Sequence, residues 1–267
     1  MKLQASNKLP LYQFENFSQF NEIRHYVSTR AGGVSEGNGL DTLNVSFMAD
    51  NKREAVIENR KRITKAISIS PSKLIFPSQT HEDNIVLVDS TFSANSYQKM
   101  TCTDALITNQ KGFCVSIVTA DCVPVLLFDS KKKVVSAVHA GWRGTVKMIA
   151  QKAVLKMQAD FDSKPKDIWV GIGPSISPEV YEVGNEVIAE FIKAFGTKQG
   201  LVSNEMTDGK GFVNLWEANK RQLTEIGIPE SQIEIAGICT YSNPETFFSA
   251  RRNTGKGGRF ASGIYLV

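Results

Sequence analysis

One segment of the chain, residues 118–144, constrains the fold more than any other. Two apolar runs, 123–128 and 134–139, flank the charged triplet 131–133. Valine and isoleucine favour β-strands, and a short polar stretch between two apolar runs is typical of a hairpin. We therefore predict an antiparallel hairpin whose turn is centred between Ser130 and Lys131.

This hairpin brings a cysteine to a histidine. With the turn at that centre, the numbers of opposing residues add up to 261, so Cys122 lies opposite His139 and Leu127 opposite Val134. Directly opposed residues have Cβ atoms roughly 4.5–5.5 Å apart on one face of the sheet. One metal ion can bind a thiolate and an imidazole at that separation. A register shift of one residue would send the two side chains to opposite faces.

The rest of the chain alternates between short apolar strands and amphipathic helices. Helices are predicted at 52–69, with Asp50 and Asn51 as cap candidates, at 146–157 with Thr145 as N-cap, at 185–195, and at 215–226 with Asn214 as cap. Strands are predicted at 74–76, 85–88, 105–108, 113–118, 168–172, 233–238, 247–249 and 263–267. This mixture indicates an α/β or α+β fold with a mixed sheet, in a single domain over residues 1–267.

Composition excludes several classes of function. The chain has 267 residues, of which 42% are apolar and 22% charged, as is typical of a globular protein. Its formal net charge of +4 suits anionic substrates, but the densest basic run, 131–133, is too short to predict a nucleic-acid partner. Residues 1–11 lack the apolar core of a signal peptide, and Asp121 and Pro124 interrupt the apolar run 113–128. We therefore expect a cytoplasmic protein without membrane contact, whose oligomeric state is open.

Histidine and cysteine are scarce, at three and four residues in the whole chain. The cysteines show no CxxC spacing, which favours reduced thiols. His25 lies in a polar stretch and favours a structural role. His81, between two predicted strands, would complete with Cys122 and His139 a His₂Cys set with one open position, as in catalytic zinc sites. Taken singly, each of the three also fits a buried or hydrogen-bonded structural residue.

Nine short motifs resemble, in this order, the multicopper polyphenol oxidoreductase (laccase-domain) family. Its members are mostly described as purine nucleoside phosphorylases, and a bacterial branch is called peptidoglycan editing factor. The motifs are TRAGGVS at 29–35, LN at 43–44, QTH at 79–81, TADCVP at 119–124, VHAGWRG at 138–144, GIGP at 171–174, YEV at 181–183, CTYS at 239–242 and FFSARR at 247–252.

The resemblance implies a zinc ion bound by His81, Cys122 and His139, because each lies within its matching motif. It implies an α/β sandwich related to the cytotoxic-necrotizing-factor fold. The implied substrates are purine nucleosides and phosphate, in the phosphorolysis of adenosine, inosine and methylthioadenosine and in the deamination of adenosine. The chain departs from the family at Asn253, where an acid is usual, and at 257–259, where the family usually has Thr-Gly-Arg.

This chemistry suggests roles for further residues. Phosphorolysis needs cations that hold phosphate, and Arg143 is the best candidate, followed by Arg30 and Arg251. Side-chain amides can bind the base or the ribose, for which Asn44 and Gln79 are candidates. Strand alternation turns Asp121 away from the face of Cys122. We therefore expect Asp121 to orient the metal ligands without binding the metal itself. The predicted catalytic set comprises Cys122, His139, Arg143 and Asp121.

Other functions fit the same residues. In a Cys–His hydrolase or amidase acting in peptidoglycan precursor editing, Cys122 would be the nucleophile and His139 its base. A copper-dependent polyphenol oxidase would place copper at the same site, although multicopper clusters need many more than three histidines. A non-catalytic binding module would use the site as a structural metal clip.

Overall fold

The computed structural model describes residues 1–6, 9–37, 39–48, 52–92 and 100–267. Over these residues the strands β1 to β15 are, in chain order, Lys2–Ser6, Leu9–Gln13, Ile23–Ser28, Leu74–Ile75, Ile85–Leu87, Ala105–Thr108, Cys114–Thr119, Val123–Asp129, Val134–Ala140, Ile168–Ile172, Glu182–Val183, Val202–Ser203, Gly211–Val213, Ile233–Ile235 and Phe260–Leu266. The helices α1 to α5 are Arg53–Ala66, Trp142–Val146, Ile149–Phe161, Asn185–Phe195 and Leu215–Glu225.

Two six-stranded mixed sheets form the centre of the molecule. The first has the strand order β1-β2-β3-β15-β7-β4, and the second has the order β14-β10-β8-β9-β6-β5. Most neighbours are antiparallel, but β4 with β7, β5 with β6, and β10 with β14 are parallel pairs. A small three-stranded sheet, β11-β13-β12, lies apart from both.

The buried residues define four layers. Between the two sheets lies an aromatic-rich core that includes Phe128 and Phe260. The other face of the second sheet packs against α3, α4 and α5, and the other face of the first sheet packs against α1. Alternation along β9 sends Val135 and Ala137 between the sheets, so His139 faces the same space.

Most predicted elements are confirmed, with limited differences. The strands of the hairpin, the helices at 185–195 and 215–226, and the Asn214 cap, which accepts the Glu217 N–H, are present. The predicted helix at 146–157 is wrong at its start, because Met148 is left-handed at φ 62° and separates α2 from α3. Thr145 therefore lies inside α2 and is not a cap. The cap candidates Asp50 and Asn51 lie outside the described residues.

Other differences concern strands. Residues 247–249 do not form the predicted strand, and the strand predicted at 233–238 ends at Ile235. The N-terminal strands β1, β2 and β3 were not predicted, because no run of apolar residues marks them. No helix among the described residues is long and apolar enough to cross a membrane.

The hairpin is present, but its predicted register is wrong by two residues. His139 pairs with Pro124 and Asp129 with Val134, so opposing numbers add up to 263. The turn is longer than predicted because the Asp129 carboxylate accepts the N–H groups of Lys131 and Lys132. Left-handed Lys133 then completes it. Because the shift is an even number of residues, the faces of the strands are unchanged.

Candidate functional site

His81, Cys122 and His139 converge at one end of the two sheets. One ligand atom of each residue lies within 4.8 Å of those of the other two. His139 is buried in β9, Cys122 directly precedes β8, and His81 lies in an exposed loop. The rings of His81 and His139 meet edge to face, with centroids 4.8 Å apart. The three residues named from the sequence are therefore neighbours.

The hairpin register explains how Cys122 reaches His139. His139 is paired with Pro124, and Cys122 is two residues before Pro124, on the same side of the strand. The two side chains are diagonal neighbours, which remain within reach of each other across an antiparallel pair. The predicted direct opposition is thus corrected, while the predicted proximity is present.

A buried carboxylate, Asp104, organises the other half of the site. Its Oδ1 atom accepts a hydrogen bond from His139 Nδ1 at 2.7 Å, and the His139 backbone N–H donates to the Asp104 carbonyl at 2.7 Å. The same carboxylate accepts the backbone N–H groups of Thr80, His81 and Glu82. His81 itself has a left-handed φ of 64°. Asp104 therefore orients one histidine directly and the other through its loop.

Sequence reasoning missed Asp104. It directly precedes β6, which pairs with β9 so that Ala105 opposes Val138. That register places Asp104 opposite His139, but the pairing of β6 with β9 joins segments about 35 residues apart. A carboxylate at the start of an apolar strand was the one signal in the sequence that could have found it.

Electrostatics favours an ionised cysteine. Burial by itself raises the pKa of the Cys122 thiol, but the charges and hydrogen bonds of His139 and His81 outweigh it and lower that pKa to about 6. Burial lowers the pKa of His139, but Cys122 and Asp104 stabilise its charged form and raise that pKa to about 9. The residues thus supply a thiolate, the form of cysteine that binds metals and attacks electrophiles.

The space around the three side chains depends on Gly141. A Cβ atom at this position would lie 3.0 Å from His81 Cδ2 and 3.1 Å from Cys122 Sγ. Its φ of −68° is open to any residue, so the requirement for glycine comes from this close approach.

The three residues open into a cavity of about 430 Å³, within the size range of small-ligand sites. Its wall includes residues from both sheets and from the C-terminal part of the chain: Ser46, Met48, Gln79, Thr80, His81, Val118, Thr119, Ala120, Cys122, His139, Ala250, Gly255 and Arg259. A small molecule in this cavity would contact the His81–Cys122–His139 cluster.

The two predicted amide residues are held by the protein. Gln79 lines the cavity, but its side chain exchanges two hydrogen bonds of 2.8 Å with the backbone of Val118. Asn44 is fully buried and does not belong to the cavity wall; its side chain binds the backbone of Ser46 and accepts the N–H of Arg259. Asn44 therefore supports the cavity wall through Ser46 and Arg259, and its contact with substrate stays a prediction.

The three predicted arginines also lie outside the described cavity wall. Arg30 donates to the carbonyls of Asp41 and Pro244, which fixes two loops. Arg143 is exposed, with its guanidinium 4.5 Å from the Trp142 ring centroid. Arg251 donates to the Glu182 carbonyl.

Asp121 makes its side-chain hydrogen bonds with the C-terminal part of the chain. Its carboxylate accepts hydrogen bonds from the hydroxyls of Thr240 at 2.6 Å and Ser249 at 3.0 Å, and from the backbone N–H of Arg251 at 2.6 Å. It orients none of the three clustered residues through a hydrogen bond in the described structure. Asp121 instead ties the C-terminal segment to the loop that carries Cys122.

The remaining histidine lies elsewhere, as expected. His25 is buried beside Phe14 and Phe17, and its Nε2 accepts the N–H of Phe14 at 2.7 Å. Burial lowers the pKa of His25 to about 3, so the ring is neutral in the folded protein. All four cysteines are free thiols, and no disulfide joins them.

The donor set suits a transition-metal ion. Two imidazoles and a thiolate with space on the fourth side match a catalytic zinc site, and the same ligands occur in copper proteins. The absence of a side chain at Gly141 lets its backbone lie close to His81 and Cys122 without crowding them. Among the described residues, this is the one group of three or more such ligands.

Comparison with known proteins extends over almost the whole chain. It is 42% identical over 258 residues to a purine nucleoside phosphorylase of Bacteroides thetaiotaomicron, covering 95% of each chain. It is 33% identical over 254 residues to an adenosine deaminase of an unknown prokaryotic organism, covering 94% of this chain and 97% of that one. The solved structure of YlmD from Geobacillus stearothermophilus matches with a TM-score of 0.90 at 29% identity, over 99% of this chain and 98% of that one.

A family model described as multi-copper polyphenol oxidoreductase laccase matches residues 24–267. This match confirms the resemblance carried by the nine motifs. The structural match confirms a mixed α/β fold. The chain belongs to the multi-copper polyphenol oxidoreductase laccase family.

Proposed function

We propose that this protein is a zinc-dependent purine nucleoside phosphorylase that also deaminates adenosine. The observation that carries the proposal is the convergence of His81, Cys122 and His139 on the wall of a ligand-sized cavity. The relatives described as purine nucleoside phosphorylase and adenosine deaminase support the same chemistry. The substrates would be phosphate with adenosine, inosine or methylthioadenosine. The four free thiols suit the reducing cytoplasm.

His81, Cys122 and His139 would hold the zinc ion. Zinc with three protein ligands acts as a Lewis acid and lowers the pKa of bound water towards about 7. Asp104 prepares the site for it, because its hydrogen bond keeps the proton of His139 on Nδ1 and leaves Nε2 free as a ligand. The thiolate of Cys122 compensates part of the metal charge.

Both reactions place demands on the cavity. In phosphorolysis, a phosphate oxygen bonds to C1′ of the ribose, the bond from C1′ to the purine nitrogen breaks, and its electron pair leaves with the base, which takes up a proton. In deamination, water adds to C6 of adenine and ammonia leaves. Gln79 lies in the cavity wall, where its side chain fixes β7 against the His81 loop.

Metal analysis combined with turnover tests the proposal. Purified wild-type protein should contain about one zinc per chain, consume inosine only when phosphate is added, and convert adenosine to inosine without phosphate. Cys122→Ala and His139→Ala should lose most of the metal and both activities. A full zinc content in both variants would rule out the assigned ligands.

A Cys–His hydrolase is the second candidate, because the lowered pKa of Cys122 also suits a nucleophile activated by His139. Iodoacetamide labelling separates the two. If the thiolate is a metal ligand, zinc should protect Cys122 from alkylation. A hydrolase would be alkylated and inactivated at Cys122 regardless of zinc.

Copper at the same His₂Cys set would make a mononuclear oxidase the third candidate. Two of the three histidines of the chain are in this set and His25 is buried in the core, so a multicopper cluster would lack ligands within one chain. Copper in the metal analysis, with oxygen uptake on phenols, would favour this function.

We also propose that residues 1–267 form one domain related to the cytotoxic-necrotizing-factor fold. The core shared by the two sheets supports a single domain. Cooperative unfolding in one transition, seen by two spectroscopic probes, would test it.

A further inference from the structure

Arg259 is the one positively charged side chain in the described wall of the cavity, apart from histidines. Three hydrogen bonds to backbone carbonyls fix its guanidinium. Nη1 donates to Gly257 and Gly258, and Nη2 donates to Gly255. These contacts use three of its five N–H groups, so the Nε hydrogen and one Nη2 hydrogen remain for a ligand. No carboxylate in the described part of the chain forms an ion pair with Arg259.

Its backbone is also fixed. The Arg259 N–H donates to the side chain of Asn44 at 2.9 Å, and the Arg259 carbonyl accepts the N–H of Val45 at 3.1 Å. Residue 260, the next in the chain, pairs with Thr119 across β15 and β7. Arg259 is therefore placed by the first sheet, and its guanidinium is a fixed cation that forms no ion pair with a carboxylate among the described residues.

The hydroxyl of Thr119 is a second unused group in the same wall. Thr119 is only 1% exposed, lines the cavity, and its Oγ1 has no hydrogen-bond partner. A buried hydroxyl without a partner costs free energy, which a ligand that accepts its hydrogen bond would recover. Alternation along β7 sends Thr119 to the same side as Ile117, towards the second sheet and His139.

We propose that Arg259 and Thr119 form the phosphate subsite of this cavity. The wall as described contains no aspartate or glutamate. Its one anionic side chain is the Cys122 thiolate, whose charge a bound zinc ion would compensate. The two free N–H groups of a guanidinium match two oxygens of a phosphate, and the hydroxyl donates to a third. This inference rests on the proposed function, in which phosphate is the co-substrate. It reassigns to Arg259 the role that the sequence suggested for Arg143.

The test measures phosphate binding directly. Zinc-loaded, full-length protein is titrated with inorganic phosphate by calorimetry. Thr119→Val should weaken phosphate binding about tenfold and Arg259→Met by more than that, since one hydrogen bond to a charged group is worth roughly 1.5 kcal/mol or more, which is about tenfold in affinity. Arg259→Lys keeps the charge but loses the paired geometry and should be intermediate. Arg221→Met, which removes a half-buried arginine of α5 outside the described cavity wall, is the matched control and should bind phosphate as the wild type does.

Kinetics provides the second measurement. The KM for phosphate in inosine phosphorolysis should rise by the same factor as the dissociation constant, with a smaller change in the KM for inosine. The proposal is overturned if wild-type protein binds no phosphate, or if Arg259→Met and Thr119→Val both bind it with wild-type affinity. It is also overturned if Arg143→Met loses phosphate affinity while Arg259→Met keeps it.

The two measurements separate this inference from the proposed function. Phosphate binding that depends on Arg259 in a protein that consumes no nucleoside would support the subsite and contradict the phosphorylase. Phosphorolysis with an unchanged phosphate affinity in Arg259→Met would support the phosphorylase and contradict the subsite.

Discussion

His139 Nδ1 lies 2.7 Å from Oδ1 of Asp104, and both side chains are buried. A carboxylate in this position fixes the tautomer and the direction of a histidine that binds metal through its other nitrogen. The same carboxylate shapes the loop of His81 by accepting three backbone N–H groups. Two of the three candidate ligands thus depend on one residue outside the set.

Replacing Asp104 should weaken zinc binding. In Asp104→Asn, the side-chain amide turns an N–H group towards the N–H donors that the carboxylate accepts in the wild type. His139 and the loop of His81 therefore lose hydrogen bonds that orient them. We expect zinc affinity to fall about 10- to 100-fold. Competition with a chromophoric chelator measures it. Asp83→Asn, on the same loop but paired with Lys152, is the control and should keep wild-type affinity. Equal zinc affinity in both variants would contradict the role of Asp104.

Filling the space at Gly141 should exclude the metal without unfolding the protein. The methyl group of Gly141→Ala would press against His81 and Cys122, and its backbone angle suits alanine. We expect the zinc content to drop well below that of the wild type. In the presence of a chelator, the Tm of the variant should match that of chelated wild type. A variant with full zinc content would show that the metal does not occupy this space.

The carboxylate of Asp121 should contribute to the free energy of unfolding and have little effect on zinc affinity. Asp121→Asn turns an acceptor of three hydrogen bonds into a group that opposes the Arg251 N–H. We expect a loss of about 2 kcal/mol in the free energy of unfolding, the usual range for hydrogen bonds to charged groups. Urea unfolding measures the loss, and chelator competition should give the zinc affinity of the wild type. A large loss of zinc affinity at unchanged stability would restore the predicted orienting role.

His25 should make stability depend on pH. The folded protein holds the pKa of His25 at about 3, whereas the unfolded chain has about 6.5. Below pH 6.5 the unfolded state takes up a proton that the folded state does not, so stability falls as the pH drops towards 3, by up to about 1.4 kcal/mol per pH unit. Above pH 6.5 this contribution to the pH dependence disappears.

The contribution of His25 is measured by comparing the pH dependence of the unfolding free energy in the wild type and in His25→Gln. Between pH 7.0 and 5.5, the wild type should lose about 1 kcal/mol more than His25→Gln, which has no proton to gain but can still accept the Phe14 N–H. Urea unfolding at both pH values gives the result. Equal losses in the two proteins would mean that His25 is not held neutral in the folded state.

Sequence reasoning succeeded where the signal is local. Strand propensity identified β8 and β9, and the even spacing of Cys122 and Pro124 kept the cysteine on the face of His139 although the turn was longer than predicted. The turn itself depends on Asp129, whose carboxylate binds two N–H groups of the lysine run. That detail follows from side-chain geometry, which propensity does not describe.

The sequence did not predict site residues that are brought in by the pairing of strands distant along the chain. Asp104 meets His139 only because β6 pairs with β9, and Arg259 enters the cavity only because β15 pairs with β7. The order of strands in a sheet is decided by global packing, so neither neighbour could be found from motif spacing. Arg143 was instead chosen by its closeness in sequence to His139, and it lies, like Arg30 and Arg251, outside the described wall.

The position of β15 has a consequence for how the protein is made. This strand comes late in the chain, yet it lies between β3 and β7, which do not pair with each other. While a nascent chain emerges from the ribosome, the hairpin of Cys122 and His139 can form early, but the first sheet stays split until residues 260–266 have been synthesised. Arg259 and the segment bound by Asp121 arrive at the same stage. Vectorial synthesis thus completes the segments of His81, Cys122 and His139 first, and it adds the C-terminal residues of the described cavity wall last.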